Sequence, residues 1–158
     1  MKLIIGLGNP GERYKNTRHN AGFLVADELK KIKLPEGVVV KKSDMFMNES
    51  GSFVKKIVDK YKSDLSNLYI IHDDLDIPLG SYKIQFGVGP KVHNGVNSVE
   101  EELGTKDFWR VRIGVDPTSR GASRGEVIVL EDFTDEERKM LDLTIKKVLI
   151  DLIAKIRK

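Results

Sequence analysis

Lys2-Leu3-Ile4-Ile5-Gly6-Leu7, followed at once by Gly8-Asn9-Pro10-Gly11, reads as a short buried strand that ends in a glycine turn. The run is apolar, bounded by glycine and too short for a helix. Outward from it, Ala21, Leu24, Val25, Leu29 and Ile32 recur at helical spacing within residues 20–32. Val38 to Val40 is β-branched and predicts a second strand, and Phe53, Val54, Ile57, Val58 and Tyr61 mark one face of a helix over 50–61. Leu68 to Ile71 predicts an apolar strand that runs into the acidic loop His72-Asp73-Asp74-Leu75-Asp76. Tyr82 to Phe86 alternates in period two, and residues 95–103 read as a short helix with an acidic outer face. Trp109, Val111, Ile113 and Val115 alternate inward with Arg110 and Arg112 outward. Residues 127–130 predict one more strand. Thr134-Asp135-Glu136-Glu137 fits a capping box ahead of a long last helix. Its buried stripe is Leu141, Ile145, Val148, Leu149, Leu152 and Ile156, which Met140, Leu143, Ile150 and Ile153 widen into a surface for a partner. Strands alternating with helices give an α/β fold, a single domain over 1–158 with a twisted, mixed, mainly parallel sheet between helices.

Composition narrows the function without naming it. The 158 residues carry 27 Lys+Arg against 24 Asp+Glu, a formal balance of +3, with 40% hydrophobic and 32% charged residues. That is a globular mixture of one-domain size. The absence of cysteine excludes disulfides, thiolate metal sites and a Cys nucleophile. No stretch approaches the ~18 apolar residues of a membrane span, so a cytoplasmic protein is expected, with no membrane partner. A pI near 9.0 is compatible with a nucleic-acid partner, but the excess charge is too small to identify one.

Gly6-Leu7-Gly8-Asn9-Pro10-Gly11 matches the G-x-G-x-x-G pattern of dinucleotide sites. Such a loop offers backbone N–H groups to a pyrophosphate and opens a helix of small residues. Here Pro10 removes one N–H, and Glu12-Arg13-Tyr14-Lys15 is bulky and charged, so the reading is rejected. His19, in Thr17-Arg18-His19-Asn20 ahead of the first helix, is a better candidate. The positive helix end is expected to lower its pKa and keep the imidazole neutral, the form a general base requires. Asp73, at the carboxyl end of a strand, stands where open α/β sheets bind ligands and is suited to orient that ring. Asn9, Asn48 and Asn94 offer uncharged amides that orient water or a carbonyl, although each is also a common turn residue and Asn94 suits a helix N-cap. A metal-dependent phosphodiesterase built on His72, Asp73, Asp74, Asp76 and His93 is a weaker reading. Adjacent carboxylates are expected to point apart, and no closed metal-ligand spacing is present.

In order along the chain stand GLGNPG, TRHNAG, MFMNESG, HDDLD, HNG and RVRIG. Together they resemble the bacterial-type peptidyl-tRNA hydrolase family from Lys2 to about Val115. The resemblance implies hydrolysis of the ester between a peptide and the 3′-end ribose of tRNA, with no metal, cofactor or covalent intermediate. It puts the general base on His19, the orienting carboxylate on Asp73, and substrate and water contacts on Asn9 and Asn94. Asn48 falls where the family contacts the peptide and tRNA terminus, and Tyr14 and Met47 where it lines its cleft. Recognition of the acceptor stem and its 5′-phosphate falls on Arg112 and on Arg120 in the loop after it. A family lysine aligns with Gln85, and Lys83, on the same strand face, is expected to replace it. Three departures are visible: a short segment between His19 and Asn48, Pro90 with Val88 and Val92 in the loop before His93, and an end at Lys158 in a basic helix. The resemblance implies a hydrolase, and a monomer in the cytoplasm is expected; the alternative is a relative that binds RNA or protein without hydrolysis.

Overall fold

The computed structural model describes residues 1–117 and 129–158. Strands β1 (Lys2–Gly6), β2 (Val38–Lys42), β3 (Leu68–Pro78), β4 (Tyr82–Phe86) and β5 (Trp109–Asp116) form one sheet in the order β2-β1-β3-β5-β4. All neighbours are parallel except β4, which runs antiparallel to β5. Helices α1 (Ala21–Lys30) and α4 (Asp135–Ile156) cover one face, where Ile4, Val25, Leu29, Ile71, Ile113, Leu141 and Val148 form a core. Helices α2 (Ser50–Tyr61) and α3 (Asn94–Leu103) cover the other, over Leu3, Ile5, Val54, Leu68, Ile70, Val99 and Phe108. Both faces of the central strands are therefore dry. That explains why β1 reads as a continuous apolar run rather than an alternation.

The chain reverses direction of travel across the sheet at β1. From β1 the first connection leads outward to β2, and the next returns past β1 to β3. A crevice opens at such a switch point, beyond the carboxyl ends of the strands. Here β1 pairs with β3 only as far as Gly6 opposite Ile71, while β3 continues beside β5. The β1 side of His72 and Asp73 is thus vacated by the strand. Helix α1 presses against its rim: a Cβ on Gly22 would collide with the carbonyls of Leu7 and Ile71, and one on Gly6 with the Gly22 carbonyl. This close approach brings the residues just before α1 to the open side of β3.

Three sequence expectations change. The acidic segment is strand, not loop, since β3 runs on through Asp74 in register with Gly114 and reaches Pro78 opposite Asp116 after a bulge. A strand tolerates Asp73 and Asp74 because each has a buried partner, described below, while Asp76 stays exposed. Arg110 and Arg112 do not face solvent either. Arg110 is fully buried, its guanidinium 3.9 Å from the centroid of the Phe108 ring and ion-paired to Glu100 at 2.9 Å. Alternation along β5 separates its two faces correctly, but a second helical layer covers the one expected to be wet. Residues 127 and 128 of the expected last strand lie outside the described residues, and Val129 and Leu130 are not strand.

Helix α4 begins as expected. The Thr134 hydroxyl accepts the Glu137 N–H at 3.1 Å and the Glu137 carboxylate accepts the Thr134 N–H at 2.9 Å. Leu143 and Ile150 stay exposed on its outer face. No helix among the described residues is long and apolar enough to cross a membrane.

The α1 contact yields a stability prediction. Gly22→Ala is expected to destabilise the fold by roughly 1–3 kcal/mol through overpacking against backbone that cannot yield. Urea denaturation measures this, and an unchanged midpoint would contradict the close packing of α1 on the sheet.

Candidate active site

His19 lies in the 3-10 turn Arg18–Asn20 that leads into α1, and Asp73 lies in β3 just past the end of β1. The His19 Nδ1 stands 3.0 Å from Asp73 Oδ1 and 2.9 Å from Oδ2. A third group completes the cluster: His93, directly before α3, places Nε2 at 2.7 Å from Asp73 Oδ1. All three side chains are buried.

The hydrogen bonds assign the protons. His93 caps α3, its Nδ1 accepting the Val96 N–H at 3.1 Å. A ring nitrogen that accepts carries no proton, so the His93 proton resides on Nε2 and is donated to Asp73. An ionised carboxylate only accepts, so His19 also donates to it, from Nδ1. The Nε2 of a neutral His19 is then left with its lone pair. Asn94, offered as an N-cap, is instead the first residue of α3.

Charge follows the same geometry. Burial alone would raise the Asp73 pKa, but the two imidazoles outweigh it and hold the carboxyl well below the usual carboxylate range. Burial of His19 opposes its charged form, yet the charge and hydrogen bond of Asp73 more than compensate, so its pKa stands above the ordinary 6.5. The expected lowering by the helix end is therefore reversed, because the carboxylate is in contact. His72, on the opposite face of β3, is fully buried and donates Nδ1–H to the Asp73 carbonyl at 2.8 Å. Burial and the nearby His93 push its pKa down to about 3.

Asn9 joins this cluster to the rest of the crevice. Its backbone is held by the Asn20 side chain, which accepts from Asn9 N–H at 2.8 Å and donates to the Asn9 carbonyl at 2.9 Å. Its own Oδ1 accepts the Met47 N–H at 2.7 Å. The hydrogen-bonding atom left over is Nδ2, a donor. Met47 is buried against Gly95, where a Cβ would collide with the Met47 sulfur and crowd the His93 ring.

A family model described as peptidyl-tRNA hydrolase matches residues 3–157. The chain belongs to that family. The peptidyl-tRNA hydrolase of Aliarcobacter butzleri is 40% identical over 166 residues, covering 94% of this chain and 88% of the relative. That of Aquifex aeolicus is 35% identical over 169 residues, covering 94% and 86%. A mutant peptidyl-tRNA hydrolase from Acinetobacter baumannii superposes with a TM-score of 0.80 at 29% identity, covering 99% of this chain and 90% of that one. A hydrogenase maturation protease from Thermococcus kodakarensis, at TM-score 0.53 and 21% identity, shares the fold alone.

Within this peptidyl-tRNA hydrolase fold the remaining expected site residues are distributed unevenly. Tyr14 meets Phe46 edge to face at 6.2 Å, and Phe46, Asn48 and Asn94 are exposed. Lys83 is exposed on β4 and shares a recess of about 400 Å³ with Lys155 and Lys158 between β4 and α4. Arg112, expected to meet a phosphate, is instead buried: its Nε donates to Asp74 Oδ2 and its Nη1 to Gln85 Oε1, both at 2.8 Å. Its guanidinium serves as the counter-charge that lets Asp74 lie in a strand. Arg120 lies outside the described residues.

His93 and Asn20 are the residues whose place here sequence reasoning missed. His93 stood only in the metal reading, and Asn20 carried no role beside His19. The five residues of that reading do not converge, since Asp74 turns to Arg112 while Asp73 turns to His19 and His93. His19, Asp73 and His93 do bring three ligand-type atoms within 4.8 Å of one another. An ion there would have to displace both N–H donors and shift the His93 proton to Nδ1, breaking the Val96 cap.

Asp73→Asn removes the charge that raises His19 while leaving its burial. The His19 ring is expected to titrate at lower pH than in the wild type, because the contacting negative charge that raises it is gone while its burial remains. Histidine proton NMR across pH reads this directly, and an unmoved titration would refute the electrostatic coupling.

Proposed function

We propose that the chain hydrolyses the ester joining a peptide, or an N-blocked aminoacyl group, to the 3′-end ribose of tRNA. The observation that carries this is the Asp73 carboxylate receiving Nδ1–H of His19, which leaves Nε2 to act as base. Water gives a proton to Nε2 and its oxygen attacks the ester carbonyl. Collapse of the tetrahedral intermediate expels the ribose oxygen, which takes the proton back from His19. Peptide acid and free tRNA result, with no change at the histidine. Asp73 holds the ring in the required tautomer and stabilises the imidazolium, as carboxylates do in general acid–base sites. Asn9 offers Nδ2–H to the carbonyl oxygen as it gains charge.

Peptide and terminal nucleotide lie across Tyr14, Met47, Asn48 and Asn94. Phosphates of the acceptor stem meet exposed cations, Lys83 among them, and Arg120 joins it in this reading. The enzyme works as a monomer in the cytoplasm, where peptidyl-tRNA is made. A non-catalytic binder has less support. Binding alone has no need of a buried carboxylate spanned by two imidazoles, and the curated relatives are named as hydrolases.

His19→Ala is the direct test, with release of free tRNA from purified peptidyl-tRNA as the measurement. Turnover is expected to fall ~10²–10⁴-fold, the usual worth of a general base; full activity in the variant overturns the assignment. Because the neutral ring is the active form, wild-type activity is expected to rise with pH through the elevated His19 pKa. Lys83→Ala is expected to weaken tRNA binding and reduce the slope of log affinity against log salt by about one. An unchanged slope would remove Lys83 from the interface.

A further inference from the structure

Arg18 directly precedes His19, yet it is only 4% exposed, a burial that arginine rarely accepts without a partner. Its Nη2 donates to Glu137 Oε1 at 2.8 Å, its Nη1 reaches the Val115 carbonyl at 3.5 Å, and its guanidinium lies 5.2 Å from the centroid of the Phe133 ring. The same Glu137 oxygen closes the capping box of α4 by accepting the Thr134 N–H. One carboxylate oxygen therefore terminates the helix and neutralises the residue beside His19.

A backbone seam runs along this contact. Arg18 N–H donates to the Glu131 carbonyl and Phe133 N–H to the Asn16 carbonyl, both at 3.0 Å, and Thr17 bridges to Asp132. Arg138 adds a bond to Asn16 Oδ1 at 2.9 Å. Val115 lies two residues beyond Ile113, the register partner of Asp73. The Arg18 fork thus spans three pieces: the His19 turn, the end of β5 beside Asp73, and the first turn of α4. A buried ion pair adds little net stability over apolar packing of the same volume. What a planar fork adds is geometry, since it fixes distance and angle between the segments it joins.

We infer that Arg18 and Glu137 are positioning residues that set the His19 turn at hydrogen-bonding distance from Asp73. The inference rests on the reading of His19 as base. Neither residue bonds to His19, Asp73 or His93, so they act through the turn and the strand. The titratable groups that face the His19 ring are Asp73 from β3 and His93 from the start of α3.

Arg18→Lys tests this at constant charge, because lysine keeps the cation opposite Glu137 but loses the fork. The His19 titration, followed by NMR without substrate, is expected to move down toward 6.5, and kcat to fall by up to roughly 100-fold with KM nearly unchanged. The double variant Arg18→Gln with Glu137→Gln serves if the lysine variant folds poorly. It removes both charges together and keeps an amide oxygen for the helix cap. Thr134→Ala is the control, expected to lower Tm through the lost cap while leaving the His19 titration in place. A lowered Tm with an unmoved His19 titration in both Arg18 variants overturns the inference and leaves the pair a structural contact. Full turnover in His19→Ala would instead remove the catalytic reading, and the substrate-free titration would stand apart from it.

Discussion

A single buried carboxylate organises the crevice. Asp73 accepts hydrogen bonds from His19 and His93 while almost wholly withdrawn from water. A carboxylate in that position is costly unless charge-assisted hydrogen bonds compensate for lost hydration. The two imidazoles do so from different directions, one from the turn before α1 and one from the cap of α3. The carboxylate therefore ties both helical layers to the same point on β3. Loss of either imidazole would leave Asp73 under-solvated, and loss of Asp73 would leave His19 without the bond that selects its tautomer.

Because β1 stops pairing opposite Ile71, the crevice exists before any side chain is considered. The glycines make it narrow. Gly6 and Gly22 let α1 lie directly on the sheet, and Gly95 lets Met47 approach the start of α3. Met47 is tied in turn to Asn9, and Asn9 to Asn20, so the loop after β1 and the His19 turn form one hydrogen-bonded unit. The catalytic reading depends on this unit as much as on the His19–Asp73 pair, since it aims the spare Asn9 N–H.

Much of this was legible in the residues. β1, the 50–61 helix, β4 and the capped last helix follow from local pattern alone, because apolar spacing and cap chemistry are properties of neighbouring residues. His19 and Asp73 were legible as a pair through their places before a helix and at the end of a strand. What was not legible depended on contacts distant in sequence. The HDDLD segment looked like a solvated loop because its counter-charges, His19, His93 and Arg112, come from elsewhere in the chain. Arg112 looked like a surface cation for the same reason, as nothing near it reveals Asp74 across the sheet. The sign of the His19 shift is not the one a helix end gives, because the Asp73 carboxylate in direct contact outweighs it, and that balance depends on a contact distance no sequence pattern contains. The placement of positive charge accordingly matters more than its sum of +3. One arginine that seemed available for RNA lies in the interior, whereas Lys83, Lys155 and Lys158 line a recess between β4 and the end of α4.

The central claim is that Asp73 holds neutral His19 with its proton on Nδ1, so that Nε2 is free to take a proton from water. Nitrogen-15 NMR of the labelled histidines, at a pH above the His19 titration, reads the tautomer directly. The account predicts a protonated Nδ1 and an unprotonated Nε2 on His19, with the reverse on His93. A His19 ring protonated on Nε2 would contradict it.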